Sequence, residues 1–254
     1  MSERSRKMKH AVYAGTRNLY EQMVWSAKSL VANSGVDRIH LLVEDDEFPF
    51  DLPDGLFDVV NVRGFAERTF PDTGANAGTQ FTKMALVRIC YPELLPDVGR
   101  VLQLDVDTVV VDDVDGLWDA DLEGKWFAAV PEHQGSYNPY NGEKYYNIGV
   151  AVFNVAQMAA DGAQGKMVDW INTRRANCVE QDALNLFGHV YEDKAVDLPV
   201  RYNENFVCGY TDDPAIVHYA GRLDWLDSPR MPRREYLKLY RDKSWDEVLE
   251  VRNG

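Results

Sequence analysis

The segment Val101-Leu-Gln-Leu-Asp105-Val-Asp107-Thr-Val-Val-Val111 decides the fold expected for this chain of 254 residues. Residues 101–104 are mostly apolar and predict a buried β-strand, and two carboxylates follow where an open α/β sheet places its ligand crevice. Side chains two positions apart on an extended segment point to the same side, so Asp105 and Asp107 can converge on one cation that prefers oxygen ligands. The segment therefore predicts a metal or phosphate site at the carboxyl end of a strand.

The Asp-x-Asp spacing is not specific by itself. This acidic chain repeats it at Asp113/Asp115 and Asp119/Asp121, and we expect both of those pairs on solvated loops or turns. Only the first pair follows an apolar strand and precedes a second apolar run, Thr108 to Val111. A charged strand end without function is the alternative to a site there.

The composition indicates a globular protein, with 45% hydrophobic and 11% aromatic residues. No Pro/Gly/Ser-rich linker divides the chain, which favours one domain over residues 1–254, with residues 1–9 flexible and residues 229–254 forming a helical tail. The net charge of −14 disfavours a nucleic-acid partner. The cysteines form no CxxC pair, and neither a signal peptide nor a membrane span is evident, so we expect a cytoplasmic protein.

The first half of the chain alternates strands and a helix. Strands are predicted at His10–Ala14, Arg38–Val43 and Phe57–Val62, and a helix between the first two ends at Asn33-Ser-Gly35. This order implies right-handed parallel crossovers and an open α/β sheet. The turn at residues 15–18 then lies at the carboxyl edge of the sheet, beside the two aspartates.

The second half adds further strands and helices. Strands are predicted at Trp126–Val130, Tyr145–Asn154 and Ala215–Gly221, and helices at Gln80–Tyr91, Met167–Arg175 and Glu180–Phe187. We expect Pro92 to end the first of these helices. Residues 132–144 predict a long polar loop that could cover a site, and Ser244-Trp-Asp-Glu247 is a capping box that opens a terminal helix. Gly149, inside an apolar strand, indicates a bulge or a close backbone approach.

Five segments in this order resemble the family 8 retaining glycosyltransferases, a group that includes glycogenin and the bacterial lipopolysaccharide galactosyltransferases. They span residues 11–225 and comprise the first strand and turn, Arg88 to Thr108, Tyr146-Asn-Ile-Gly149, Glu180-Gln-Asp-Ala-Leu-Asn185 and His218-Tyr-Ala-Gly221. The resemblance implies a single-domain, Rossmann-like fold of the GT-A type with a mixed central sheet. It also implies an enzyme that moves a hexose from UDP-glucose or UDP-galactose to an acceptor hydroxyl and retains the anomeric configuration.

The same resemblance implies a metal site made by Asp105, Asp107 and His218. A manganese or magnesium ion there would bridge the diphosphate of a UDP-sugar. A histidine taken alone is more often a hydrogen-bonded core residue than a ligand, but the aspartate pair and the strand-to-turn position favour a ligand here. Imidazole is a softer ligand than carboxylate, which favours manganese over magnesium.

Residues around two turns fall where the family binds the nucleotide. They are Ala14, Gly15, Thr16, Asn18, Tyr20, Val106 and Gly221. Tyr20 could stack on the base or its ribose, or simply pack on its helix. Some relatives carry an acidic residue at position 16 or 17, and its absence here leaves the base preference open.

Three residues match catalytic positions of the family. Gln181 falls beneath the anomeric carbon, where a side-chain carbonyl can stabilise developing positive charge. Glu180 stands where some relatives have aspartate, and either a nucleophile or a residue that orients hydroxyls fits. Arg88 matches a basic residue near the donor sugar and phosphates, although a surface arginine on a helix is the alternative.

Other positions match contacts to the donor. Asn147 and Glu132 match residues near the donor sugar, and a buried asparagine needs partners that ligand hydroxyls would supply. Lys83 is a lesser candidate of the same kind as Arg88.

The chain departs from the family after His218. Relatives commonly continue with glycine, two residues and Lys-Pro-Trp, whereas this chain reads Gly221-Arg-Leu-Asp-Trp225. Arg222 is the candidate to replace the missing lysine as the phosphate cation. The basic, aromatic stretch Pro229–Lys243 is either a solvated helix face or a weak peripheral contact with a membrane that carries the acceptor.

Two other functions compete with a glycosyltransferase. The apolar run followed by Asp-x-Asp also resembles the nucleophile motif of haloacid-dehalogenase-like phosphohydrolases, but that motif stands near the N-terminus and needs a downstream Gly-Asp that this chain lacks. A catalytically silent sugar-nucleotide-binding protein on the same fold is the second alternative. No motif identifies the donor sugar, the acceptor or the oligomeric state.

Overall fold

The computed structural model describes residues 7–133, 139–140, 142–221 and 233–253, except for the side chains of residues 234 and 237. The strands in this part of the chain are β1 His10–Ala14, β2 Arg38–Val43, β3 Phe57–Asn61, β4 Val101–Leu104, β5 Thr108–Val110, β6 Phe127–Pro131, β7 Tyr146–Phe153, β8 Ala195–Asp197 and β9 Ile216–His218. The helices are α1 Tyr20–Ala32, α2 Arg63–Thr69, α3 Lys83–Leu86, α4 Tyr91–Leu94, α5 Val155–Ala160, α6 Ala163–Thr173, α7 Val179–Asn185, α8 Arg234–Arg241 and α9 Trp245–Asn253.

Within the described residues, a seven-stranded sheet has the order β3-β2-β1-β4-β7-β6-β8. The first four strands are parallel, β7 runs antiparallel to both β4 and β6, and β8 is parallel to β6. This arrangement confirms the predicted α/β class and its mixed central sheet. β5 and β9 pair separately and antiparallel, with Thr108 opposite His218, which carries the end of β9 to the carboxyl end of β4.

Both faces of the central sheet are covered, which explains why its middle strands, β4 and β7, are buried along their whole length and mostly apolar. Successive residues of β7 point into opposite hydrophobic clusters: Ala151 and Phe153 pack into one, and Val150 and Val152 into the other. The first cluster includes residues of α6 and α7, and the second includes residues of α1 and Val248 of α9. The parallel strands β1, β2 and β4 all end at the same edge of the sheet, between these two layers.

The region predicted as one helix, Gln80–Tyr91, is broken in the structure. α3 is followed by a 3-10 turn at Val87–Ile89, and α4 then starts at Tyr91. Pro92 lies in the first turn of α4, where its missing N–H costs no hydrogen bond, so the prediction that it ends a helix is wrong. The break places Arg88 in the 3-10 turn instead of within a regular helix.

The other elements differ from the predictions mainly at their ends. α6 starts at Ala163, four residues before the predicted position, and α7 is followed by a π-helical turn at Leu186–Tyr191. The predicted capping box is present at α9, because Ser244 N donates to Glu247 Oε2 at 2.7 Å and Glu247 N donates to Ser244 Oγ at 3.3 Å.

The aromatic residues of α8 face the protein. Tyr236 and Tyr240 pack beside Val109, Val217 and Tyr219, and the Tyr240 hydroxyl accepts a hydrogen bond from Asn33 Nδ2 at 2.8 Å. The apolar side of this helix is therefore used within the fold. Nowhere in the described ranges is a helix both long and apolar enough to cross a membrane.

Candidate active site

Asp105, Asp107 and His218 converge at the carboxyl end of β4. Each offers one ligand atom, and the three atoms lie within 4.8 Å of one another. His218 Nε2 is 3.3 Å from Asp107 Oδ1 and 3.7 Å from Asp105 Oδ2. Two carboxylate oxygens and one imidazole nitrogen form a donor set that fits a divalent cation such as Mn²⁺.

Gly149 allows His218 to reach the two aspartates. Its carbonyl accepts a hydrogen bond from Asp105 N at 2.7 Å, and a Cβ at this position would lie only 2.1 Å from His218 Cε1. The imidazole thus packs directly on the backbone of β7. The close backbone approach predicted for Gly149 is confirmed, and no side chain larger than hydrogen fits there without displacing the ring.

The electrostatics of the cluster favour a positive charge. Burial acts to lower the pKa of His218, but Asp107 and then Asp105 outweigh it and the net pKa is raised. Burial acts to raise the pKa of Asp107, but His218 and the N–H of Gly221 outweigh it, so this carboxyl is held ionised. Gly221 N lies 2.6 Å from Asp107 Oδ2. Two carboxylates that favour a protonated imidazole also favour a bound cation.

Arg88 joins the metal centre to α7. One guanidinium nitrogen donates to Asp105 Oδ1 and another to Glu180 Oε1. The Arg88 side chain is only 13% exposed, so it is not a surface arginine. Burial raises the pKa of Asp105 and of Glu180, and Arg88 opposes the increase in both.

Glu180 is buried and only partly satisfied. Its Oε2 atom has no hydrogen-bond partner among the described residues, although Oε1 is bound by Arg88. An unpaired buried oxygen is costly, and this one lies beside a candidate metal centre. Val179, just before it, has φ 28°, which is a strained value for a β-branched residue. The strained backbone and the unpaired oxygen make Glu180 a candidate functional residue.

Three further predicted residues form one hydrogen-bonded group. Asn147 Nδ2 donates to Glu132 Oε1 at 3.0 Å, and Gln181 Nε2 lies 3.4 Å from the same oxygen. Gln181 Oε1 accepts from Ile148 N at 3.1 Å. Asn147 Oδ1 accepts from Gly149 N at 3.1 Å, so its buried amide is satisfied within the protein and does not require a ligand.

The predicted nucleotide turn lies next to the aspartates. Gly15 follows β1, and a Cβ on it would lie 3.6 Å from Val106, which connects the turn with the Asp-x-Asp segment. Thr16 is partly buried, and its hydroxyl donates to the exposed Asn18 Oδ1 at 2.6 Å. Ala14 ends β1 and is partly buried.

Tyr20 is covered by protein. Its side chain packs against Phe48, with ring centroids 5.1 Å apart, and the residue is only 1% exposed. The hydroxyl donates to Asp45 Oδ2 and accepts from Glu44 N, both at 3.0 Å. This position favours packing on the helix over stacking on a base. Glu44 and Asp45, which we did not predict as site residues, lie beside the turn, because Glu44 Oε1 accepts from Arg17 N at 3.0 Å.

Two other predicted residues are not placed in the cluster. Lys83 forms an ion pair with the exposed Asp72 at 2.7 Å. Arg222 lies outside the described residues. Asn203 and Asn205 are buried against His218, and neither was predicted as a site residue. In the sequence they belong to Asn203-Glu-Asn205, a short polar run that is typical of an ordinary turn.

The chain is similar to known glycosyltransferases in sequence pattern and in fold. The sequence model described as Glycosyl transferase family 8 matches residues 11–225. No curated protein sequence matches the chain. The solved galactosyltransferase LgtC, in complex with donor and acceptor sugar analogues, is 19% identical, with a TM-score of 0.66 over 96% of this chain and 95% of that chain.

Two longer proteins share the fold. The glycosyltransferase GlyE of Streptococcus pneumoniae TIGR4 is 20% identical, with a TM-score of 0.69 over 96% of this chain and 63% of that chain. The bifunctional glycosyltransferase WbbM is 16% identical, with a TM-score of 0.64 over 93% of this chain, and the chain spans 52% of its length. At these identities the likeness supports a common GT-A-type fold.

Proposed function

Because the chain belongs to glycosyltransferase family 8, we propose that it is a metal-dependent, retaining hexosyltransferase that uses UDP-glucose or UDP-galactose and an acceptor hydroxyl. The observation that carries the proposal is the cluster of Asp105, Asp107 and His218, linked through Arg88 to Glu180. The cluster would hold a cation, and the buried carboxylate beside it has one oxygen, Oε2, without a hydrogen-bond partner among the described residues. The match to the family 8 model over residues 11–225 favours a glycosyltransferase over the phosphohydrolase alternative.

The two aspartates and the histidine are the residues that would hold manganese or magnesium. When bound, such an ion neutralises the diphosphate and stabilises the charge on the departing UDP. Without a cation, the carboxylates would repel the donor: two like charges about 4 Å apart at an effective dielectric near 20 repel by roughly 4 kcal/mol. Arg88 offsets part of the negative charge on Asp105.

The remaining residues would bind and orient the donor. Ala14, Gly15, Thr16 and Asn18 line the proposed uridine turn, and Asn147 and Glu132 form the proposed sugar-binding end. As the anomeric bond breaks, positive charge develops on the sugar ring. The Gln181 carbonyl has a second lone pair besides the one that Ile148 N uses, and this can stabilise that charge.

The test is turnover of sugar nucleotides by the purified chain. UDP-glucose, UDP-galactose, UDP-N-acetylglucosamine and GDP-sugars are incubated with Mn²⁺ or with EDTA, and release of the free sugar and nucleotide is followed by NMR. We expect slow hydrolysis of a UDP-hexose with Mn²⁺, because water can replace the missing acceptor. Binding of UDP-sugars without turnover, in the presence of candidate glycan acceptors, would instead support the catalytically silent binding protein.

A further inference from the structure

Three buried amides stand behind the metal-binding face of His218. Asn203, Asn205 and Asn147 are 0%, 3% and 9% exposed. Asn203 Oδ1 lies 2.8 Å from His218 Nδ1, the ring nitrogen that faces away from the aspartates. Asn203 is therefore the closest protein contact of the second nitrogen of a candidate metal ligand.

Backbone N–H groups fix which way these amides point. Asn205 Oδ1 accepts from the N–H groups of Val207 and Cys208, both at 2.9 Å, so its Nδ2 must face Asn203 Oδ1, at 3.0 Å. Asn147 Oδ1 accepts from Gly149 N, so it meets the Nδ2 of Asn203, at 2.9 Å. If the Asn203 amide were flipped, its Nδ2 would face Asn205 Nδ2 and its Oδ1 would face Asn147 Oδ1. Both contacts join like groups, so Asn203 Oδ1 must face His218.

This orientation determines the protonation pattern of the neutral imidazole. Two amides face Nδ1: the Asn203 oxygen at 2.8 Å, an acceptor, and the Asn205 nitrogen at 3.5 Å, a donor. The acceptor is much closer and favours a proton on Nδ1. The Nε2 lone pair then points to Asp107 and Asp105, as a metal ligand needs. The neutral imidazole in water prefers the opposite tautomer, with the proton on Nε2, so the protein has to impose this one.

The backbone holds Asn203 in register with the histidine. The next residue, Glu204, forms a parallel β-bridge with Val217 of β9. Glu204 N donates to Ile216 O at 3.0 Å, and His218 N donates to Glu204 O at 2.9 Å. The Glu204 carboxylate is fully buried and accepts from Arg233 Nε at 2.9 Å. The segment that carries Asn203 is therefore fixed on both sides.

We propose that Asn203 is a positioning residue that holds His218 in the tautomer that can bind a metal ion, and that the same amide connects His218 to Asn147 and Glu132. The inference rests on the proposed metal-dependent function. Through its oxygen Asn203 acts on the metal ligand, and through its nitrogen it orients the residues at the proposed sugar-binding end. These two roles can be separated by substitution.

Asn203→Ala removes both contacts, whereas Asn203→Asp keeps an acceptor for His218 Nδ1 and loses the donor to Asn147. Mn²⁺ binding to the full chain is measured by electron paramagnetic resonance, without nucleotide. We expect Asn203→Ala to bind Mn²⁺ about 10- to 100-fold more weakly, the usual effect of losing a partner that orients a ligand. Asn203→Asp should bind it nearly as well as the wild type but have a raised KM for the UDP-sugar.

Asn76→Ala is the matched control for loss of a buried amide. Asn76 is 5% exposed, and its amide bonds to Ile171 O, Arg174 O and Ala176 N, none of which belongs to the proposed site. It should lower the melting temperature and leave Mn²⁺ affinity unchanged. Equal Mn²⁺ affinity of folded Asn203→Ala and wild type would overturn the inference, as would equal weakening in Asn203→Asp and Asn203→Ala.

A second readout is ¹⁵N NMR of the metal-free wild type and Asn203→Ala, at a pH where His218 is neutral. The fraction of His218 with the proton on Nδ1 should be larger in the wild type, and equal fractions would overturn the inference. The proposed function fails separately. An Asn203 effect on Mn²⁺ binding without any turnover of sugar nucleotides would refute that function alone, and normal turnover with no Asn203 effect would refute only the present inference.

Discussion

Gly149→Ala should disable the metal centre through one methyl group. The added Cβ would lie 2.1 Å from His218 Cε1, 2.7 Å from Nδ1 and 2.9 Å from Nε2. Ordinary contact begins near 3.4 Å, so the ring would have to move by about 1.3 Å. The imidazole is held from behind by Asn203, and the glycine lies within β7, so neither side yields easily.

The displacement is large compared with the tolerance of a catalytic site. A misplacement of about 1 Å can lower a rate on the order of a hundredfold. We expect Gly149→Ala to reduce kcat/KM for the UDP-sugar by at least about that factor and to weaken Mn²⁺ binding. Turnover with saturating Mn²⁺ and binding by electron paramagnetic resonance measure the two effects.

Gly165→Ala is the matched control. Gly165 lies within α6, and a Cβ there meets no atom within 4 Å. Alanine in a helix interior is more stable than glycine by roughly 0.5–1 kcal/mol, so this variant should melt slightly higher and keep full activity. A folded Gly149→Ala protein with wild-type turnover and Mn²⁺ affinity would refute the placement of His218 as a ligand.

Four further outcomes are expected. Gln181→Ala should lower kcat on the order of a hundredfold and change the donor KM little, because its carbonyl acts mainly on developing charge; an unchanged kcat would remove it from the mechanism. Asp107→Asn should abolish Mn²⁺-dependent binding of UDP in calorimetric titrations while circular dichroism stays native, and undiminished UDP affinity in EDTA would contradict the metal site. NMR of the product should show the anomeric configuration of the donor retained, and inversion would contradict the assigned reaction. Burial lowers the pKa of His40 to about 4, so between about pH 6.5 and 4 the unfolded chain takes up a proton at His40 and the folded chain does not. This difference should lower the stability of the fold as the pH falls through that range. The loss of melting temperature between about pH 7.5 and 5 should be smaller in His40→Gln, and an equal loss would refute this cause.

The sequence was sufficient for the fold because its strong signals agree with each other. Residues 101–104 are apolar except for Gln103, and the structure buries all four on both faces of a central strand. Strands His10–Ala14 and Arg38–Val43 have the predicted bounds, and β3 ends one residue before its predicted end. Long, strongly patterned strands in a parallel sheet leave little choice of position, since a shift would expose apolar side chains.

Local patterns failed where tertiary contacts decide the backbone. Residues 80–91 have a helical pattern, but the chain turns at Cys90, and Pro92 opens the next helix. The break lets Arg88 reach two carboxylates in the core, an ion-paired arrangement that no helical periodicity indicates. The same limit applies to Asn203, because a polar residue in a short loop gives no sign that a histidine lies against it.

Two hydrogen-bonded connections link the candidate metal centre to the first turn of α7. Arg88 joins Asp105 to Glu180 on one side. On the other side, His218 contacts Asn203, which contacts Asn147, and Glu132 then connects Asn147 to Gln181. Both connections end on adjacent residues of α7, directly after the strained Val179.

The two connections together form a ring of hydrogen-bonded side chains between the candidate metal ligands and α7. Displacing Glu180 or Gln181 would break its hydrogen bond to Arg88 or to Glu132. We therefore expect a cation held by the aspartates and the histidine to restrict these two side chains as well. Of the four connecting residues, the sequence motifs indicate Arg88, Asn147 and Glu132. Asn203 is the exception, because it follows a short 3-10 turn at Val200–Tyr202 and belongs to none of the five family segments.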